Sequence, residues 1–148
     1  MSEIGDLVQG KCDAFADRVV KLNDFLLDQA ANKKPEVLKK KADGKPAFKK
    51  PVPVYLQSVA AICNQLLRAG TSIGANNSEA TNAISKQDFK AKSFIALKEA
   101  RESLYWINLL HRNGYLDDKQ YSSIHNDCDE IIRLLVTRCK KLNDDSSK

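Results

Sequence analysis

The chain has 148 residues, one domain's worth by length, and is 43% hydrophobic and 29% charged, so it carries a real core and is not disordered as a whole. Six Gly and four Pro exclude collagen-like and Gly/Pro-rich classes. The formal charge of +5 and pI of about 9.0 favour an acidic partner, nucleic acid or an anionic membrane surface, without choosing between them.

The first apolar stripe reads Val8, Cys12, Phe15, Val19, Leu22, Leu26. Its steps of 4 and 3 are those of a bundle seam, not of a strand. Lys33, Lys34 and Pro35 end this helix, since proline cannot continue it. A second helix opens around Pro51 and Pro53, residues suited to a helix start. Its stripe is Leu56, Val59, Cys63, Leu66, Gly70, Ile73, Asn77, Ala80. Gly70 and Gly74 each cost about 1 kcal/mol relative to Ala in a helix. Close approach of another helix over a side-chain-free patch would offset that; a break at Gly70 is the alternative.

Ser85-x-x-Asp88 predicts a variant capping box for a third helix. Its stripe is Phe89, Ser93, Ala96, Ala100, Ser103, Ile107, Leu110, flanked by Leu97, Leu104 and Trp106. The small residues in its middle again imply a close neighbour. Asn113-Gly114 supplies the stop, and Asp117-x-x-Gln120 caps a fourth helix with Tyr121, Ile124, Cys128, Ile131, Leu135, Arg138 and Leu142 on its stripe. Strand signals are lacking, and two short connections favour antiparallel neighbours. The expected fold is all-α: an antiparallel up-down four-helix bundle with a long basic loop between helices 1 and 2. It is read as one domain, 1–148, with a lysine-rich insertion at 33–52 and a flexible tail at 143–148.

Residues 33–50, KKPEVLKKKADGKPAFKK, hold eight lysines against Glu36 and Asp43, a net +6. The whole chain is +5, so the remainder is −1 and the basic excess sits in one connection. Bundle connections usually run about 2–8 residues, which makes this one a functional candidate. Its lysines are Lys33, Lys34, Lys39, Lys40, Lys41, Lys45, Lys49 and Lys50. They would hold phosphate oxygens without reading bases, and Phe48 is available to stack.

The catalytic inventory is thin. The two histidines are His111 and His125. His125, Cys128 and Asp129 share a helical face, but Cys128 falls on the core stripe and no oxyanion-hole motif accompanies it. No phosphate loop of the GxxxxGK[ST] or GxGxxG type appears. Glu79, Glu99 and Glu102 lack the Glu-x-x-His pairs a dimetal bundle site needs. No enzymatic activity, metal or cofactor is expected.

Cys12, Cys63, Cys128 and Cys139 form no CxxC pair. Cys128 and Cys139 would lie roughly 16 Å apart along a helix, too far to bridge. All four read as free buried thiols of a reducing compartment. The longest uncharged run, 51–67, includes Gln57, Ser58, Asn64 and Gln65, too short and polar to span a bilayer. The N-terminal MSEIGDLVQGKCDAF lacks the layout of a secretory signal. A cytoplasmic protein without a membrane partner is the expectation. Among polar stripe residues, Arg68 is a candidate to pair with a helix-three carboxylate, Glu99 or Glu102, within the bundle or across subunits; a solvated charged face is the alternative.

Residues 64–80, NQLLRAGTSIGANNSEA, and 86–110, KQDFKAKSFIALKEARESLYWINLL, resemble the signature of the four-helix bundle proteins encoded in 23S rRNA intervening sequences, the S23 ribosomal protein family. The resemblance rests on Gln65, Leu66, Arg68, Gly70–Asn76 and Glu79, and on Asp88, Phe89, Ile95, Ala96, Lys98–Ala100, Glu102, Tyr105 and Trp106. Helices one and four fit by pattern. That family is similar to the accessory variability proteins of diversity-generating retroelements. The resemblance implies a homo-oligomeric ring, commonly a pentamer, without known enzymatic activity. It implies RNA or DNA as partner and, through the related family, a reverse transcriptase. Arg68, Gly70, Gly74, Asn77, Glu102 and Trp106 are the expected helix-packing or oligomer residues. The chain departs from the family in its longer, lysine-rich first connection. Two functions follow: a nucleic-acid-binding adaptor, or a scaffold ring that docks a partner enzyme.

Overall fold

The computed structural model describes residues 3–32 and 52–144. Four helices fill them: α1 Glu3–Asn32, α2 Val52–Thr81, α3 Lys86–Arg112 and α4 Asp118–Asp144. The helices pack around a square, α1 on α2, α2 on α3, α3 on α4 and α4 back on α1. Among the described residues the backbones of the diagonal pairs, α1/α3 and α2/α4, do not meet, and α1–α4 is the thinnest seam. This is the expected all-α four-helix bundle. α4 takes in Asn143 and Asp144, which the sequence reading assigns to the tail. The basic loop between helices 1 and 2 lies outside the described residues.

Local chemistry sets the helix ends. Ser85 caps α3, its Oγ accepting from the Asp88 N–H at 3.1 Å. The Asp88 carboxylate reaches back one residue further than a standard box, to the Ile84 N–H at 3.2 Å. α3 ends in a Schellman turn: Tyr115 N–H donates to the Leu110 carbonyl and Gly114 N–H to that of His111. Gly114 holds φ +73°, a left-handed conformation that glycine adopts without a Cβ penalty. The Asp117 box on α4 is reciprocal, with Gln120 N–H donating to Asp117 Oδ1 at 2.7 Å and Asp117 N–H to Gln120 Oε1 at 3.0 Å.

The core follows the apolar stripes. Val8, Cys12, Phe15, Val19 and Leu26 of α1 are buried with Val59, Cys63, Leu66 and Ile73 of α2. α3 contributes Ala96, Ala100, Ile107 and Leu110, and α4 Ile124, Cys128, Ile131 and Leu135. Leu116, in the α3–α4 turn, closes that end at 3% exposure. α2 runs unbroken through both glycines. A Cβ at Gly70 would lie 3.0 Å from Val19 Cγ2, and one at Gly74 3.3 Å from Asp13 Oδ1 and 3.6 Å from Cys12 Cβ. The glycine patch therefore admits α1. Ser93 and Ser103 on α3 are likewise fully buried, their small side chains bringing neighbours close.

Gly70→Ala is expected to destabilise the bundle by about 1–3 kcal/mol, because the stiff β-branched Val19 cannot swing away. That strain exceeds the roughly 1 kcal/mol gained in helix propensity. Gly10→Ala, on the exposed side of α1 with nothing within 4 Å of the new Cβ, is expected to stabilise by about 0.5–1 kcal/mol. Urea unfolding of both variants, with Val19→Ala added to Gly70→Ala as the relieving second change, measures these effects.

Candidate functional site

The described helices gather their polar groups in three places. The first is a buried knot at the end of the bundle formed by the start of α1, the end of α2, the start of α3 and the end of α4. Asn77 is fully buried and uses both ends of its amide. Its Nδ2 donates to Gln9 Oε1 at 2.6 Å, and its Oδ1 accepts from Arg138 Nη1 at 2.6 Å. Gln9 Nε2 donates to Asp13 Oδ1 at 2.7 Å and reaches the Gly74 carbonyl at 3.4 Å. The Arg138 guanidinium lies 5.7 Å from the centre of the Phe89 ring, within cation–π range. Side chains of α1, α2 and α4 thus meet around one amide, and α3 joins them through Phe89 against Arg138. Burial pulls the Arg138 pKa down, and the neighbouring Cys12 and Cys139 thiols act the other way. The stripe reading places Arg138 inward; the structure half-buries it and buries Cys139 beside it.

The second place is the α3–α4 hairpin. His111 stacks on Tyr121, ring centroids 4.0 Å apart and 9° from parallel. His111 Nε2 lies 2.9 Å from Asp118 Oδ1, and Tyr121 Oη donates to Asn108 Oδ1 at 2.9 Å. His125 packs against Tyr121, its ring centre 5.0 Å from that of Tyr121. Cys128, which shares its face, instead donates to the Ala100 carbonyl at 3.4 Å. The nucleophile pair weighed from sequence is therefore not assembled.

The third place is the α1–α4 seam. Arg18 pairs with Asp127 and donates to Ser123 Oγ at 2.9 Å, while Lys11 pairs with Glu130 at 2.9 Å. Beside them a shallow groove of about 440 Å³ is lined by Arg18, Leu22, Lys119, Gln120, Ser123 and Ile124.

The residues expected at packing or oligomer surfaces divide cleanly. Gly70, Gly74 and Asn77 are used inside the protomer, against α1. Arg68 stands on the outer face, its side chain 73% exposed, with Nη2 4.0 Å from Glu102 Oε1. That distance is the outer limit of an ion pair, and an exposed pair of this kind adds little stability. Trp106 Nε1 donates to the same Glu102 oxygen at 3.3 Å, and Tyr105 meets Trp106 edge-on at 4.9 Å. Arg68, Glu102 and Trp106 therefore form one cluster on the α2–α3 surface. Lys33, Lys34, Lys39, Lys40, Lys41, Lys45, Lys49 and Lys50 lie outside the described residues. Sequence reasoning missed Gln9, whose role depends on a partner 68 residues away.

All four cysteines are buried free thiols. Burial pushes Cys12 and Cys128 up to about 12 and Cys63 up to about 11, and raises Cys139. Among the described residues no group of His, Cys, Asp and Glu is arranged to hold a metal ion, and no helix is long and apolar enough to cross a membrane.

The model of the 23S rRNA-intervening sequence protein family matches residues 55–137, which take in most of α2, all of α3 and most of α4. The chain belongs to that family. A solved relative is a protein of unknown function from the S23 ribosomal protein family of Bacteroides thetaiotaomicron VPI-5482. It is 37% identical, with 93% of this chain and 98% of that chain covered and a TM-score of 0.71. No curated protein matches. Within this family member, the signature glycines lie on the α1–α2 seam, and the signature Arg68 and Glu102 lie on the exposed cluster.

Asn77→Ala is expected to cost about 2–3 kcal/mol, since Gln9 and Arg138 lose their partner while still half-buried. Adding Arg138→Met should cost less than the two single changes together, a coupling that a double-mutant cycle in urea reads out. Arg68→Met should stay within about 0.5 kcal/mol in protomer stability. The thiols give a separate outcome. At pH 8 a thiol-specific reagent should modify them only as fast as the fold opens, and at once in denaturant. Because their folded pKa values lie above the unfolded value near 9, they add stability below about pH 9, and it is lost as pH rises toward 11–12. Denaturation from pH 7 to 11, compared with the Cys12→Ala/Cys128→Ala variant, measures that slope.

Proposed function

We propose that this family member is a non-catalytic, homo-oligomeric adaptor that binds nucleic acid, RNA in the first place, through phosphate contacts of its lysine-rich segment. The observation that carries the reading is the +6 charge packed into residues 33–50, against −1 for all the rest. Lysines act as flexible point charges, so the binding is governed by charge and salt and is indifferent to sequence. Membership of the 23S rRNA-intervening sequence protein family supports RNA over DNA. In a ring of five, the assembly that the resemblance implies, the copies of the segment act together and raise avidity. The cell compartment that suits such a partner and four free thiols is the cytoplasm.

A second reading is a ring that docks a partner enzyme, such as a reverse transcriptase. It is favoured by the outer face of α2. Between Gln57 and Ser78 the exposed residues include Ala61, Asn64, Gln65, Thr71 and Ala75, and Arg68 is the one charge among them. So long a face with so little charge suits a protein surface better than a polyanion.

The adaptor reading predicts that structured RNA binds with a steep log–log salt dependence. Deleting residues 33–50 should flatten it by several contacts, at about 0.9 per phosphate on a duplex. Titrations from 50 to 300 mM salt check this. Binding left unchanged by the deletion would refute the reading, and capture of a partner enzyme that survives nuclease would favour the docking ring.

A further inference from the structure

The body of the protein, −1 outside the lysine segment, is not evenly neutral. α1 carries Glu3, Asp6, Asp13, Asp17, Asp24 and Asp28 against Lys11, Arg18 and Lys21, a net −3. α3 carries Lys86, Lys90, Lys92, Lys98, Arg101 and Arg112 against Asp88, Glu99 and Glu102, a net +3. α2 and α4 are each balanced. The two charged helices stand on a diagonal of the square, their backbones do not meet, and among the described residues no ion pair joins them.

The charges on α3 are also placed. Phe94, Lys98, Arg101, Tyr105 and Arg112 follow one another at steps of 4, 3, 4 and 7, which keeps them on one face of a helix. That face lies opposite the buried stripe of Ser93, Ala96, Ala100, Ser103 and Ile107. All five are exposed, with Phe94 at 37% and Tyr105 at 53%. Among the described residues Lys98, Arg101 and Arg112 form no ion pair with a carboxylate. Two aromatic rings are thus interspersed with three cations along roughly 27 Å of helix. Cations neutralise phosphates, and exposed rings accept unstacked bases. Bases in a duplex are already stacked and cannot use the rings, so the pattern selects a single strand.

We propose that the outer ridge of α3 is a binding surface for single-stranded nucleic acid, with Lys98, Arg101 and Arg112 on the phosphates and Tyr105 and Phe94 stacking bases. The site is distinct from the lysine-rich segment and stands or falls apart from it. Charge complementarity assigns the occupant: a polyanion is drawn to α3 and repelled by α1 on the far side.

The test is fluorescence anisotropy of a labelled 20-nucleotide oligouridylate RNA with the full chain over a salt series. Circular dichroism melts verify that the exposed substitutions leave the fold intact. Lys98→Ala with Arg101→Ala should lower the log–log salt slope by about 1.4, at roughly 0.7 per single-strand phosphate. Tyr105→Ala should weaken binding roughly five- to hundredfold at an unchanged slope, and Tyr105→Phe should retain it. Both effects should persist when residues 33–50 are deleted. Affinity and slope unmoved by the ridge variants would overturn the proposal, and if the deletion alone then abolished binding, the lysine-segment reading would stand without it. The converse pattern, ridge variants weakening and the deletion neutral, supports the ridge and removes the segment. No binding of the oligomer, or ridge variants that change the sedimenting mass and leave RNA affinity alone, would also overturn it, the latter marking a contact between copies.

Discussion

The fit of α1 against the glycine side of α2 is the constraint on which the rest of the bundle depends. α2, α3 and α4 are linked by short turns that leave them little choice but to fold back on one another. α1 has no such guidance, because nineteen residues separate Asn32 from Val52. Its position must come from side-chain fit. Val19 fills the space that Gly70 leaves, Cys12 and Asp13 lie over Gly74, and Gln9 holds Asn77. The other side of α1 is fastened to α4 by Lys11 and Arg18, on a seam too thin to hold it alone. A bundle organised this way tolerates a long first connection. Loop-closure entropy grows only by about 0.6 kcal/mol for each doubling of length, so the cost of the lysine-rich excursion is small beside the packing it interrupts.

The fold was legible where its causes are local. The 3- and 4-residue steps named nearly every buried position, because a helix can hide only one stripe. The caps at Ser85, Gly114 and Asp117 were legible because each is closed by residues three to five positions away. What sequence alone could not reach is the knot around Asn77. Its members lie 61 and 68 positions apart, and nothing in the local pattern distinguishes Gln9 from an ordinary surface glutamine. The exchange between Arg138 and Cys139 has the same origin. Adjacent residues straddle the edge of the stripe, and the tertiary partners Asn77 and Phe89 decide which of them keeps a wet end.

The candidate surfaces were legible in part. Eight lysines in one connection are visible to arithmetic. The charge on α3 is not, since the opposite charge on α1 cancels it in any total. Only the square arrangement of the helices shows that the two sets stand on opposite corners. Arg68 and Glu102, one of the pairings weighed against a solvated face, do approach each other, but at a distance and exposure that make them features of a surface. The buried Asn77 carries the specificity instead, as a polar group that has one satisfied arrangement and many costly ones.

The diagonal separation of charge makes net charge a poor guide to how this molecule meets others. Helix axes about 10 Å apart put the outer faces of α1 and α3 roughly 20 Å or more from each other, beyond twice the ~8 Å screening length of physiological salt. At that range each face is felt by itself. The four described helices therefore present unlike faces on opposite corners, net −3 on α1 and net +3 on α3, and a basic neighbour has a place to land on α1 while α3 is occupied.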